Sequence, residues 1–245
     1  MPVYNGRDYF ETALISAIEA LEPKDEIIVI DDGSNDGGVL DLVERNLGKV
    51  PIHHHRKENG GVATALNLGL ELATNKVFAW LSHDDIYLPN RFALDRLLRH
   101  HSPNAVTVSD FYLLDNASQQ LKFINSIHSL SKKQRFRLLS RRFLNGNCLT
   151  APVQLLKTCG GFDAHRKHTQ DYALWLRMMK VSQFVAINDA TVLSRQHPKQ
   201  DSKSQPVLAK REYYSLLKEN LSWKDFVDPL NLLDVIRIVN SIFGR

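Results

Sequence analysis

Cysteine is nearly absent: Cys148 and Cys159 are the only two in 245 residues. A disulfide framework is excluded, and a reducing compartment is the simpler expectation. No run approaches the roughly 18–20 uninterrupted apolar residues that a membrane-spanning helix requires. The opening, Met1 to Asp8, lacks the basic and apolar regions of a secretory leader. Charge of one sign is not in excess either, with 31 basic against 27 acidic side chains, a net +4. Such mild basicity favours anionic partners but gives no reason to expect nucleic acid. What is present, 43% apolar and 24% charged residues, is the make-up of a soluble globular protein with a core.

Periodicity supplies the elements. Phe10, Leu14, Ile18 and Leu21 recur at helical spacing, which predicts a helix from Tyr9 to Leu21. Glu26 to Ile30 is apolar on both faces, as a buried parallel strand is, and stops at Asp31-Asp32-Gly33-Ser34. A helix over 38–47, a short strand from Val50 to His54, a helix from Val62 to Ala73 and a strand from Val77 to Leu81 follow. That strand ends at Ser82-His83-Asp84-Asp85, and Pro89 opens a helix whose buried stripe is expected to be Phe92, Leu94, Leu97 and Leu98. Alternating strands and helices imply an α/β fold with an open, mostly parallel sheet flanked by helices. Beyond residue 104 the pattern loosens: a strand from Ala105 to Leu114, a basic helix from Ser131 to Phe143 and a helix from Tyr172 to Lys180. Short strands at Phe184–Ile187 and Thr191–Leu193 come next, then a polar stretch and closing helices.

Open parallel sheets bind ligands beyond the carboxyl ends of their strands, and two strands here end in acidic pairs, Asp31-Asp32 and Asp84-Asp85. Four carboxylates along one edge repel unless something positive intervenes, and a divalent cation with a pyrophosphate does that. Read one at a time, both pairs also suit turns and helix caps.

Taken together and in order, several segments resemble the inverting family 2 glycosyltransferases of the GT-A fold. They are Pro2-Val3-Tyr4-Asn5-Gly6, Ile28 to Ser34, Glu58 to Ala63 with Asn67 and Gly69, and Leu81 to Pro89. Cys159 to Asp163, Gln170-Asp171-Tyr172 through Arg177, and Arg195 to Pro198 complete the set across residues 1–205. The resemblance implies a Rossmann-like, mostly parallel central sheet with a less regular acceptor-side half. It implies transfer of a sugar from a nucleoside-diphosphate sugar, expected to be a UDP-sugar, to a hydroxyl of a saccharide or lipid-linked acceptor in bacterial polysaccharide or glycolipid synthesis. Pro2, Val3 and Tyr4 would line the base, Asp31 and Asp32 would contact base and ribose, and Gly61 and His83 would also face the donor. Asp84 would hold Mn2+ or Mg2+ together with His197, and Asp171 would be the general base.

Two departures stand out. Ser82 occupies the place of the motif's first Asp, so a metal would lean on few protein ligands, the remainder coming from diphosphate and water. Gln170 replaces the usual acidic residue before the base, removing a charge that could raise the base's pKa. Two competing readings follow: a catalytically impaired relative that binds nucleotide sugar or a protein partner, and a sugar nucleotidyltransferase. The second wants a glycine-rich triphosphate loop that Asn5-Gly6-Arg7-Asp8 does not supply.

Other features carry less. Strand alternation cannot aim His53, His54 and His55 at one ion, and Cys159 shows no base partner. The basic 131–143 segment reads as a solvated face or as a contact for an anionic membrane surface. The apolar helix from Pro229 to Phe243 fits packing on the main domain, a second subunit or a membrane interface, and sequence does not choose. The expected organisation is a domain over 1–205, with a donor half (1–103) and an acceptor half (104–205), followed by a helical extension over 206–245. The expected location is cytoplasmic, the inner membrane face being open as well. Relatives place four or five apolar residues ahead of the Pro-x-Tyr-Asn turn, so a truncated first strand is expected.

Overall fold

The structure is a computed structural model that describes residues 1–126, 144–198, 200, 205–220 and Ile236. The first half runs β1 (Pro2–Val3), α1 (Arg7–Ala20), β2 (Ile27–Asp31), α2 (Val39–Arg45), β3 (Ile52–Arg56), α3 (Val62–Leu72), β4 (Val77–Ala79), β5 (Ile86–Tyr87) and α4 (Ala93–His101). The second half runs β6 (Val106–Asp115), β7 (Leu121–Ile124), a 3-10 turn at Gly146–Cys148, β8 (Leu149–Pro152), α5 (Val153–Thr158), α6 (Gln170–Met178), β9 (Phe184–Gln196) and α7 (Pro206–Asn220). The expected helices at 131–143 and, apart from Ile236, at 229–243 lie outside the described residues.

The α/β architecture follows the hydrophobic pattern. Phe10, Leu14 and Ala17 bury one face of α1 while Ile27, Val29 and Ile30 bury both faces of β2. β1, β2 and β3 form a parallel three-stranded sheet. The second sheet has the order β4-β8-β6-β9-β5, with β7 paired to β6. Within it only β6 and β9 run parallel, the other pairs being antiparallel.

Three local expectations are corrected. Leu94 and Leu97 face solvent at 43% and 66% exposure, and α4 turns Asp95 inward instead. Burial works against that charge, but Arg99 and the hydroxyls of Thr107 and Thr150 bond to Asp95 and hold its carboxyl below the usual range. A polar network thus occupies the position expected for leucines. The two short strands expected after residue 183 are one, β9, whose pairing with β6 shifts register around Asp110, so that a bulge interrupts the alternation. Finally, α6 starts at Gln170, ahead of the expected Tyr172.

β1 is two residues long, and among the described residues no strand joins β2 to β4. A cavity of about 470 Å³ lies between them, lined by Ile27, Ile28, Ile30, Val77, Phe78 and Ala79 among others. At its edge the Met1 amine donates to the Ile28 carbonyl (2.7 Å) and the Ile30 amide donates to the Met1 carbonyl (2.9 Å), continuing the ladder.

Candidate active site

The carboxyl ends of β1, β2 and β4 open with α6 onto a second cavity, of about 960 Å³. Asp84 and Asp171 both line it, one from the loop after β4 and the other from the first turn of α6. Pro2, Val3, Tyr4, Asp32, Gly61, His83 and His197 line it as well. Asp31 does not. It is 1% exposed, accepts from the Ser34 amide (2.8 Å) and pairs with Arg56 (2.9 Å). Asp31, expected to contact the donor, thus has one oxygen in the turn after β2 and the other on Arg56.

Asp32 reaches the cavity wall with its charge already matched. Gly60 and Gly61 donate their amides to it at 3.1 and 2.8 Å, and the Lys57 ammonium bonds to it too. These amides precede α3, so Asp32 supplies the anion that a helix N-terminus favours. Gly61 accordingly faces the cavity with its N–H engaged. The carboxylate after Asp84 is also withdrawn. Asp85 accepts from the Asn147 side chain, from Ser194 (3.4 Å) and from the Arg195 amide (2.9 Å). Burial, then the neighbouring Asp84, pushes its carboxyl well up.

Asp84 meets His197 Nε2 at 3.0 Å, and the histidine ring stacks on Tyr9 at a centroid distance of 4.9 Å. His83 lies against the Pro2–Gly6 turn. A Cβ at Gly6 would sit 2.3 Å from its ring, so that turn requires glycine for steric reasons. Burial lowers the pKa of His83 and favours the neutral ring, which bonds to the Pro2 backbone. Proline has no N–H, so the ring is the donor there. Among the described residues no group of three or more His, Cys, Asp or Glu could hold a metal. The Asp84–His197 pair therefore fits a divalent ion only as part of a set completed by ligand oxygens.

Asp171 is half-buried; its own helix supplies the Tyr172 amide at 2.8 Å. Burial raises its carboxyl to about 6, so it is poised to take a proton near neutrality. Trp80 Nε1, His168 Nε2, Gln170 Oε1 and His197 Nδ1 are buried on cavity-lining residues without a hydrogen-bond partner among the described residues. Such atoms cost about 1–3 kcal/mol each unless a ligand or water satisfies them.

Sequence reasoning missed Asn147. It ties Asp85 to the Ser82 amide (2.8 Å), and the buried Arg91 guanidinium bonds the carbonyl of Asn147 (2.9 Å). No spacing rule reaches from residue 85 to 147. Lys57 was missed for a different reason: a lysine after a strand reads as solvated. Asn67 and the Cys159–Phe162 turn, both within the quoted segments, are structural partners. Asn67 accepts from the Phe162 amide and donates to its carbonyl, each at 2.8 Å, while Arg177 bonds the carbonyls of Cys159 and Gly161.

A family model described as Glycosyl transferase family 2 matches residues 1–156. An uncharacterized glycosyltransferase of Rickettsia typhi is 32% identical over 98% of this chain, which covers 74% of that protein. In three other Rickettsia relatives the chain spans only 35–40% of the length. The Escherichia coli protein WfgD, named a UDP-Glc:alpha-D-GlcNAc-diphosphoundecaprenol beta-1,3-glucosyltransferase, is 25% identical over 83% of this chain and 78% of its own. Among solved structures, S. aureus TarS 1-349 in complex with UDP-GlcNAc aligns with a TM-score of 0.75 at 15% identity, covering 99% of this chain and 71% of that one. A Pyrobaculum calidifontis mannosyltransferase in complex with GDP-Man and Mn2+ aligns at 0.67 and 15%, covering 99% and 68%. Both likenesses are of the GT-A fold.

Asn67→Ala would leave both backbone groups of the buried Phe162 unpaired. A loss of about 2–3 kcal/mol is expected in urea unfolding, and an unchanged midpoint would refute the structural role.

Proposed function

The chain belongs to glycosyl transferase family 2, and on that premise we propose that it moves a sugar from a UDP-sugar to an acceptor hydroxyl with inversion. The observation that carries this reading is the placement of Asp84 and Asp171 on the wall of one cavity. Tyr4, 46% exposed at the cavity mouth, offers its ring to the base above the buried Pro2 and Val3. Asp32 stands where base and ribose would lie. Asp84 and His197 would hold Mn2+ or Mg2+, which when bound supplies positive charge to the diphosphate leaving group. The manganese in the Pyrobaculum structure supports this choice of ion.

Asp171 does the work on the acceptor side. Its raised pKa suits a group that collects the hydroxyl proton as the oxygen attacks the anomeric carbon. One displacement with a single base turns the anomeric centre over. Phe111, Leu113, Ile124 and Leu144 give the cavity an apolar wall, which accommodates an acceptor carrying a lipid. The acceptor in the name of WfgD is of that kind and supports the same class, within polysaccharide or glycolipid synthesis. Among the described residues no helix is long and apolar enough to cross a membrane. We assign residues 1–103 to the donor and 104–205 to the acceptor, at the cytoplasmic face where nucleotide sugars are made.

Asp171→Asn is expected to lower kcat by about 10²–10⁴-fold with donor affinity within twofold, read by single-turnover transfer and by calorimetry. Equal kcat would remove Asp171 as base. In the wild type the base must be ionised. Activity should therefore fall about tenfold per unit as pH drops below about 6, the range to which burial raises Asp171. A profile flat down to pH 4.5 would contradict it. Asp84→Ala should abolish the thermal stabilisation that UDP with Mn2+ gives the wild type; stabilisation equal to the wild type would exclude Asp84 as a ligand.

A further inference from the structure

α7 begins well past the residues matched by the family model, yet one of its side chains reaches the loop that leads into α6. Glu212 accepts from the Lys167 amide at 2.9 Å, the His168 amide at 2.8 Å and the Thr169 amide at 3.2 Å, and from the Thr169 hydroxyl at 3.2 Å. Three successive amides converging on one point form a concavity for an anion, and a carboxylate fills it with charge-assisted hydrogen bonds. Thr169 is the residue before the first turn of α6, and its hydroxyl, which a helix of this kind commonly uses as its own cap, is committed to Glu212. The Thr169 carbonyl accepts from the Ala173 amide at 2.9 Å and so starts the helix that carries Asp171.

The same loop supplies cavity wall: Lys167, His168, Gln170 and Asp171 all line it. α7 is itself anchored, with Tyr213, Leu216 and Leu217 buried in the core. A second tie lies further along α7, where Arg166 meets both oxygens of Glu219 at 2.7 and 2.6 Å.

We propose that Glu212 is a positioning residue for sugar transfer: by gathering the 167–169 amides it fixes the N-terminal turn of α6, and with it the direction in which Asp171 faces the acceptor. The inference rests on the reading of Asp171 as the base. It makes α7 a working part of the transferase rather than an appendage after residue 205.

The test compares Glu212→Ala, Glu212→Gln and Glu219→Gln with the wild type. Amide hydrogen exchange without substrate reads the clamp directly. In Glu212→Ala, residues 166–173 should exchange about tenfold faster, with β2 unchanged. Transfer kinetics read the consequence: kcat should drop at least tenfold, while KM for the nucleotide sugar stays within twofold. Glu212→Gln, which keeps one accepting oxygen, should restore part of kcat, and Glu219→Gln should leave kcat near wild type. Faster exchange with an unchanged kcat would overturn the proposal, as would a kcat loss that Glu219→Gln shares in full. Should Glu212→Ala not fold, the Gln variant carries the same comparison. A wild type that transfers no sugar from any nucleotide donor would refute the assigned reaction instead, and the exchange data would still decide whether the clamp exists.

Discussion

Carboxylates crowd the carboxyl edge of this sheet, and the site depends on how they are sorted. Asp31 is spent on Arg56 and the turn at Ser34, Asp32 on Lys57 and the amides before α3, Asp85 on Asn147 and the start of the Arg195 segment. Each of these carboxyl groups has its donors within the fold, so its burial is tolerated. Asp84 faces the cavity beside His197, and Asp171 stands on the same wall, held by amides of its own helix. Four unmatched anions along one edge would repel any anionic ligand; with the others matched, Asp84 is the carboxylate that a ligand-borne cation would meet under the proposed function.

The sorting is done by residues from distant parts of the chain. Asn147 is held by Arg91 and in turn holds Ser82 and Asp85, so the 3-10 turn ahead of β8 sets the loop after β4. Asn67 on α3 grips Phe162, and Arg177 on α6 grips the same turn. Through these bonds the first and second parts of the chain share one wall, and Asp171 on α6 lines the same cavity as the carboxyl ends of β1 and β2. β6 and β9, paired over their whole length, form the base on which this wall stands.

Much of this could be read from the chain itself. The buried strand at Ile27–Asp31 and the partly exposed one at Val77–Ala79 announce themselves by apolar runs cut off by acidic turns, and α1 by its regular spacing. Asp84, Asp171 and His197, which the resemblance singled out, all line one cavity. What periodicity could not convey was competition for partners. Asp31 and Asp32 are adjacent and chemically identical, yet one caps a turn and pairs with Arg56 while the other lines the cavity and pairs with Lys57. Leu94 and Leu97 carry the spacing of a core stripe, but the buried place on α4 goes to Asp95 because Arg99, Thr107 and Thr150 satisfy it. Asn147 and Glu212 were invisible because each acts on backbone or side-chain groups far away in sequence.

On the function we propose, a single base across the cavity from the leaving diphosphate would give one displacement and no covalent intermediate. The stereochemistry of the product is therefore the most direct measurement: the anomeric configuration of the transferred sugar, read from its proton coupling by NMR after reaction with a UDP-α-sugar. The roles proposed for Asp84 and Asp171 predict a β-linked product. An α-linked product would mean two displacements or front-side attack, and would contradict the assignment of Asp171 as the base.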